Sequence, residues 1–233
     1  MTEAGEERPG KVQPPRSPAA IYSLIVGLAF VALVLIAGVN ALSTDDSGLV
    51  TPGDEGLPLP QFAVPGARSE LTGDANIAQD DCEISAVPCP ESDRRRPACE
   101  VEVRGAIRVC DRFDRPLVLS FWFTRGGECE TAQDRFEAAY RHFGGRANFL
   151  AVNVRDDREE VRRLIAQRGW THPVGLDADG ALSNLYRIGA CPTFIYAYPG
   201  GILQNVSIGD ESNLDRDVTA LLAATRKRAE AVR

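Results

Sequence analysis

A long uncharged segment near the N-terminus limits what this chain can be more than any other feature. Ile21–Leu42 contains 22 residues, of which only three are polar. A helix needs about 20 apolar residues to cross the hydrocarbon core of a bilayer, so the segment is long enough for one span. Three basic residues precede it, namely Arg8, Lys11 and Arg16, and the next basic residue is Arg68. The positive-inside rule therefore predicts a cytoplasmic N-terminus, with the rest of the chain outside the cell membrane.

A cleaved signal peptide is the alternative interpretation, because residues 39–41 (VNA) resemble a cleavage site. The apolar part of a signal peptide is usually ~7–15 residues long, which is shorter than Ile21–Leu42. We therefore predict a retained transmembrane anchor over residues 19–42, after a disordered cytoplasmic tail over residues 1–18. All six cysteines follow the anchor and would lie on the outer side, where disulfide bonds persist.

Composition divides the exported part into a linker and a folded domain. Residues 43–70 are rich in proline and glycine and predict an extended linker without a core. Residues 71–233 provide enough chain for a substantial core, and they begin with a cysteine-containing insert over residues 71–98 and a hairpin over residues 99–110. The formal net charge of −7 argues against a surface for phosphate contacts, so we expect no nucleic-acid partner.

The folded part alternates between the apolar patterns of strands and of helices. A nearly continuous apolar run over residues 117–123 predicts a strand buried on both faces. Apolar residues at helical spacing after Glu130 predict a helix that ends at two glycines, residues 144–145. Further patterns extend the order to β-α-β-α-β-β-α, with strands over residues 147–154, 193–198 and 202–208. We predict an α/β fold whose mixed sheet has a parallel first unit, an antiparallel last hairpin and helices on both faces.

Four of the cysteines have spacings that favour structural disulfide bonds. If residues 104–105 form a hairpin turn, the numbers of paired residues sum to 209, which places Cys99 opposite Cys110. Such a pair has Cα atoms ~5.5 Å apart, within disulfide range, and free thiols are the alternative. By elimination, Cys82 would pair with Cys89. These cysteines lack the short spacing of zinc ligands, and we expect no metal or cofactor.

Three motifs follow one another in the predicted domain. Residues 121–124 read FWFT, residues 173–180 read PVGLDADG, and residues 191–193 read CPT. The set resembles the membrane-anchored thioredoxin-like proteins of the cytochrome-maturation type, which are related to peroxiredoxins. The resemblance covers roughly residues 99–225. It implies a thioredoxin-like fold, with Pro192 as the cis-proline that precedes a strand.

The active-site motif departs from the pattern of this family. The family has Cys-x-x-Cys at the start of its first helix, and alignment on the FW pair places Gly126-Gly127-Glu128-Cys129 there. The position of the nucleophile is therefore Gly126, and only the second cysteine remains. Ala132 and Asp134 stand where the family often has Glu and Pro. Two-cysteine exchange within this motif is impossible.

The resemblance implies that the loop bearing Cys191 packs against the helix that begins near Cys129. A Cys129–Cys191 pair could then replace the missing motif and exchange disulfides with protein thiols. The helix N-terminus would lower the pKa of the Cys129 thiol. Pro192, Gly126 and Trp122 would line the substrate site, although core packing is the favoured interpretation of Trp122.

Four alternatives to this exchange chemistry stay open. The Cys129–Cys191 pair could be structural, or Cys129 could be a buried inert thiol. A degenerate domain could grip an extended protein segment beside the cis-proline loop without chemistry. A peroxidase using Cys129 is the weakest alternative, because peroxiredoxins need a threonine three positions earlier and Gly126 stands there. His142 and His172 are interpreted as solvated side chains.

Overall fold

The computed structural model describes residues 22, 25–32, 34–35, 53–73, 97–100, 102–125, 129–209 and 213–231. The chain divides into two units, Met1–Ser47 and Gly48–Arg233. In the first unit, the described residues between Tyr22 and Leu35 are helical. No helix among the described residues, which include only part of the expected anchor, has the length and apolar character needed to span a bilayer. The tail expected over residues 1–18 lies outside the described residues.

The second unit is built around a mixed sheet of five strands. The strands, in chain order, are β1 (Ala63–Pro65), β2 (Ala106–Arg108), β3 (Leu117–Trp122), β4 (Asn148–Val154), β5 (Val174–Asp177), β6 (Thr193–Tyr198) and β7 (Ile202–Ile208). The helices are α1 (Cys129–Phe143), α2 (Arg158–Arg168), α3 (Ala181–Leu185) and α4 (Leu214–Ala231). The main sheet has the order β5-β4-β3-β6-β7, and β1 pairs with β2 in a separate small sheet.

The strand directions confirm the mixed sheet expected from the sequence. β3, β4 and β5 are parallel, whereas β6 runs antiparallel to both β3 and β7. The apolar pattern did not reveal β5, because a strand of four residues is too short to establish a period. Gly175 in β5 lies against the side chain of Val64, and a Cβ at this position would overlap with it.

Side chains of the central strands alternate between two apolar cores, one on each face of the sheet. Val118 and Trp122 of β3 pack with residues of α1, α2 and α4 in the first core. Leu119 and Phe121 pack in the second core, together with residues of α3. This alternation confirms helices on both faces, and it explains why β3 reads as a continuous apolar run.

The N-terminal part of the second unit crosses the sheet and reaches both of its edges. We call residues 56–67 the strap. At one edge, the Gly56 amide donates to the Leu203 carbonyl of β7 at 2.8 Å. At the other edge, the Ala67 amide donates to the Val174 carbonyl of β5, also at 2.8 Å. Between these contacts, the strap covers the second core.

The strap differs from the linker that the sequence analysis expected over residues 43–70. Residues 62–67 are all buried, and Phe62 and Val64 belong to the second core. β1 lies within this stretch and pairs with β2, with Ala63 opposite Arg108. The sequence did not indicate β1, because this three-residue strand lies between prolines and glycines, and such composition is also typical of linkers.

The hairpin expected over residues 99–110 does not form as a ladder. Cys99 lies in a short 3₁₀ helix, Ala98–Glu100, and the partner of β2 is β1. A second short 3₁₀ helix, Val109–Arg112, contains Cys110. The structure joins Cys99 to Cys110 in a disulfide with Cα atoms 5.7 Å apart. Nη1 of Arg108, the last residue of β2, donates to the Cys99 carbonyl at 3.2 Å, which links the first 3₁₀ helix to the chain just before the second.

Replacing both Cys99 and Cys110 with serine should lower the free energy of unfolding. The bond joins residues 11 positions apart. Opening a loop of this size should cost about 3 kcal/mol in the loop-entropy model. We expect a melting temperature several degrees lower by circular dichroism. A non-reducing peptide map that joins either cysteine to any other cysteine would contradict the assignment.

Candidate functional site

Two cysteines from different elements meet at the end of the sheet where β3 ends and β6 begins. Cys129 is the first residue of α1, and Cys191 lies two residues before β6. The structure joins them in a disulfide with Cα atoms 5.6 Å apart. Cys129 is only 1% exposed, whereas Cys191 is partly exposed. Cys191 is therefore the more accessible residue of this disulfide.

The loop that carries Cys191 is fixed by the two C-terminal strands. The peptide bond between Cys191 and Pro192 is cis. The Pro192 carbonyl accepts a hydrogen bond from the Gly209 amide at 2.9 Å. The Thr193 hydroxyl donates to the Ala190 carbonyl at 2.7 Å, which closes the turn before β6. Cys191 is thus presented on a short loop with bonded backbone on both sides.

Trp122 does not lie on the surface of this site. Its side chain is fully buried in the first core, and its ring packs edge-on against Trp170 with centroids 5.3 Å apart. A fully buried side chain packs under the end of β3 and cannot line a substrate groove. The structure therefore agrees with the core-packing interpretation of Trp122. Gly126, Cys82 and Cys89 lie outside the described residues.

The first two turns of α1 carry acidic side chains that share one arginine. Arg168 is the last residue of α2. Its Nη2 lies 2.5 Å from Oε2 of Glu130, and its Nη1 lies 3.0 Å from Oδ2 of Asp134. Carboxylates at this position interact favourably with the dipole at the helix N-terminus. They also disfavour the thiolate form of Cys129, since like charges repel. The guanidinium offsets part of that repulsion.

A buried network fixes the middle of α1, and no pattern in the sequence indicates it. The interpretation of His172 as solvated is wrong, because its side chain is fully buried. Nδ1 of His172 lies 2.8 Å from Oε2 of Glu137. Glu137 also accepts hydrogen bonds from the Thr171 amide and hydroxyl, and from Arg141. His142, by contrast, is exposed as predicted.

Burial and hydrogen bonding shift both titrating groups of this network. Burial lowers the pKa of His172 to about 4, although the carboxylate of Glu137 acts in the opposite direction. Burial by itself would raise the pKa of Glu137, but hydrogen bonds from Thr171, Arg141 and His172 outweigh it and lower the pKa to about 2. At neutral pH the pair is therefore a neutral imidazole that donates to a carboxylate.

Among the described residues, no group of three His, Cys, Asp or Glu side chains could hold a metal ion.

Acidification should weaken this network in two stages. The unfolded imidazole binds a proton near its ordinary pKa of 6.5, but the buried ring does so only near 4. The stability from a neutral His172 is thus complete above pH 6.5 and is lost as the pH falls toward 4. The contribution of Glu137 is lost as the pH falls from about 4.5 to about 2. Urea unfolding at about pH 7 and about pH 5 measures the first stage.

The His172→Asn variant is the matched control for this measurement. Asn keeps a side-chain donor for Glu137 but does not titrate, so its loss of stability between the two pH values should be smaller. Burial raises the pKa of Asp177, so protonation of this carboxyl stabilises the folded protein as the pH falls and opposes the effect of His172. Both proteins contain Asp177, so the difference between their losses of stability removes its contribution. Equal losses in both proteins would contradict the assignment to His172.

Comparisons with known proteins agree with this architecture. The sequence model of the AhpC/TSA family matches residues 100–206. The thiol-disulfide oxidoreductase ResA of Oceanobacillus iheyensis is 24% identical over 134 residues, which cover 56% of this chain and 69% of that protein. ResA of Bacillus subtilis is 27% identical over 44% of this chain and 58% of its own length. The mercury resistance operon ORF3 protein of Streptomyces lividans is 32% identical over 38% of this chain.

The last two matches have limited extent. The chain spans 58% of the Bacillus subtilis protein and 50% of the Streptomyces lividans protein. Among solved structures, a DsbF homologue from Corynebacterium diphtheriae has a TM-score of 0.50 and 16% identity, covering 75% of this chain and 91% of that chain. At this identity the likeness concerns the fold. The thioredoxin-like fold and the resemblance drawn from the motifs are therefore confirmed.

Proposed function

We propose that this thioredoxin-like redoxin domain is a thiol–disulfide oxidoreductase whose redox pair is Cys129 and Cys191. The observation that carries the proposal is their juxtaposition, with Cα atoms 5.6 Å apart and unequal exposure of the two residues. Relatives named as thiol-disulfide oxidoreductases support the reaction type. Because position 126 is glycine, a second cysteine has to come from outside the usual motif, and the cis-proline loop supplies it.

In this proposal the exchange begins at Cys191, since this residue is more exposed than Cys129. A partner thiolate attacks this sulfur, the Cys129–Cys191 bond breaks, and Cys129 leaves as a thiolate with the bonding electron pair. A second partner thiolate then attacks the partner sulfur of the mixed disulfide, and Cys191 leaves as a thiolate. The partner dithiol becomes a disulfide, and the domain holds two reduced cysteines. The reverse steps reduce a partner disulfide.

The position of Cys129 suits its role as the leaving group. The N-terminus of α1 carries backbone amide groups without helical acceptors, and these stabilise an adjacent thiolate. A more stable thiolate leaves faster in disulfide exchange. A peroxidase using Cys129 is less well supported, because a peroxide must reach a sulfur whose residue is 1% exposed.

The Cys129→Ser variant should accumulate mixed disulfides with protein partners. Its Cys191 thiolate can attack a partner disulfide, but no second thiol remains in the site to release the product. The Cys191→Ser variant should trap nothing, because Cys129 is buried. Non-reducing gels and mass spectrometry after acid quenching detect the trapped species.

The double variant of Cys99 and Cys110 is the control for this trapping, because it removes a disulfide without changing the redox pair. It should exchange like the unmodified protein. If neither single variant traps a partner while a partner is still captured without either thiol, the domain is a binding module for an extended protein segment. That outcome would end the enzyme proposal.

We also propose that Ile21–Leu42 anchors this domain to the cell membrane, with the domain outside. The support is the charge distribution. Three basic residues precede the segment, whereas the first basic residue after it is Arg68, 26 positions beyond Leu42. An outer location also suits disulfide chemistry, because thiols there are not kept reduced by the cytosolic systems.

Protease added to intact cells should degrade the exported domain and leave a short N-terminal fragment in the membrane. Immunoblotting against the two ends of the chain separates these products, and a cytosolic protein serves as the lysis control. A mature protein that begins at Leu42 would contradict the retained anchor. Protection of the domain in intact cells would contradict its orientation.

A further inference from the structure

We propose that Asp156 is a positioning residue for the Cys129–Cys191 pair. Asp156 follows β4, and its carboxylate holds Thr124, which lies at the start of the connection from β3 to α1. This connection ends at Cys129. The inference rests on the proposed function, because positioning has a measurable meaning only if the pair exchanges.

Both oxygens of the carboxylate bind the same residue. The Thr124 amide donates to Oδ2 of Asp156 at 2.6 Å, and the Thr124 hydroxyl donates to Oδ1 at 2.9 Å. The side chain of Asp156 is 2% exposed, so water does not compete effectively for these bonds. Two bonds from one residue fix both its position and its orientation.

A third donor ties this clamp to the sheet. Nδ2 of Asn153 donates to Oδ2 of Asp156 at 2.7 Å. Asn153 is 1% exposed and lies in β4 directly opposite Trp122 of β3. The carboxylate therefore connects the ends of two paired strands, and Arg125 lies 3.6 Å away as a partly compensating cation.

The body of α1 is held by other contacts, which separates the clamp from general helix docking. Nε2 of Gln133 donates to the hydroxyl of Ser120 in β3 at 2.7 Å, and Nε1 of Trp170 donates to Asp134 at 2.8 Å. Neither contact constrains the chain before Cys129. On the β3 side of that connection, the clamp on Thr124 acts together with Arg125, whose Nη2 donates to the Arg155 carbonyl at 2.8 Å.

The clamp should matter more in the reduced state than in the oxidised state. In the oxidised state the disulfide itself holds Cys129 against Cys191. In the reduced state that bond is gone, and the first turn of α1 keeps its amide groups beside the thiolate only if the preceding chain is fixed. Loss of the clamp should therefore make Cys129 a poorer leaving group and slow the reduction of the pair.

Four substitutions separate positioning from charge. Asp156→Ala removes the clamp and its charge. Asp156→Asn is the matched control, because its oxygen can accept from the Thr124 amide and from Asn153 while its amide donates to the Thr124 hydroxyl. Thr124→Val removes one of the two bonds and keeps the charge, and Thr124→Ser restores the hydroxyl.

The experiment measures the rate at which dithiothreitol reduces each disulfide of the full-length protein. Peptide-resolved mass spectrometry after alkylation follows the Cys129–Cys191 and Cys99–Cys110 bonds in the same sample. The second bond is an internal control, since Cys110 packs with the second core and Cys191 with the first core. A mere loss of folding would accelerate the reduction of both bonds.

We expect reduction of the Cys129–Cys191 bond to slow several-fold in Asp156→Ala, with a smaller slowing in Thr124→Val. Asp156→Asn and Thr124→Ser should stay close to the unmodified protein, and Cys99–Cys110 should not change. Equal effects of Asp156→Ala and Asp156→Asn would assign the effect to charge and overturn the positioning role. Unchanged rates in Asp156→Ala and Thr124→Val, or parallel changes at Cys99–Cys110, would also overturn it.

The unmodified protein distinguishes this inference from the function on which it rests. If its Cys129–Cys191 bond resists dithiothreitol as strongly as Cys99–Cys110 does, the proposed exchange fails and the positioning role fails with it. If the bond exchanges readily while the variants behave alike, only the role of Asp156 is lost.

Discussion

The antiparallel pairing of β3 with β6 is the constraint on which the site depends. Its register places Phe121 opposite Thr193, so the end of β3 lies beside the start of β6. α1 begins shortly after the first of these residues, and Cys191 lies shortly before the second. Two cysteines separated by 62 positions are therefore brought together by the pairing of these strands. Shifting this pairing by one residue would turn the core side chains of β6 to the opposite face.

Much of the fold could be predicted because its central strands are buried on both faces and leave continuous apolar runs, as in β3. β1 and β5 could not be predicted, because strands of three and four residues carry no readable period. The pairing of β1 with β2 also replaced the expected hairpin beside Cys99. Sequence patterns identify the elements that bury much apolar area, and they miss short strands that depend on partners distant in the chain.

The site was predictable to a different degree. A family resemblance indicated that Cys129 and the loop of Cys191 would approach each other, and the structure brings them together. The buried Glu137–His172 pair was invisible, because its members are 35 positions apart and each residue alone resembles a surface side chain. The residues of the Thr124–Asp156 clamp are 32 positions apart, and the clamp was missed for the same reason. Polar networks built across elements leave no periodic signal.

The strap has a consequence for how other chains can meet this domain. Edge strands expose unpaired backbone groups, and these attract extended segments of other proteins as additional strands. The strap donates backbone hydrogen bonds to Leu203 of β7 and to Val174 of β5, and so occupies backbone groups at both edges of the sheet. Recruitment of foreign strands along those positions would require the strap to peel away from the second core. The stretch whose composition resembles a linker thus occupies part of both sheet edges, where a strand of another chain could otherwise pair.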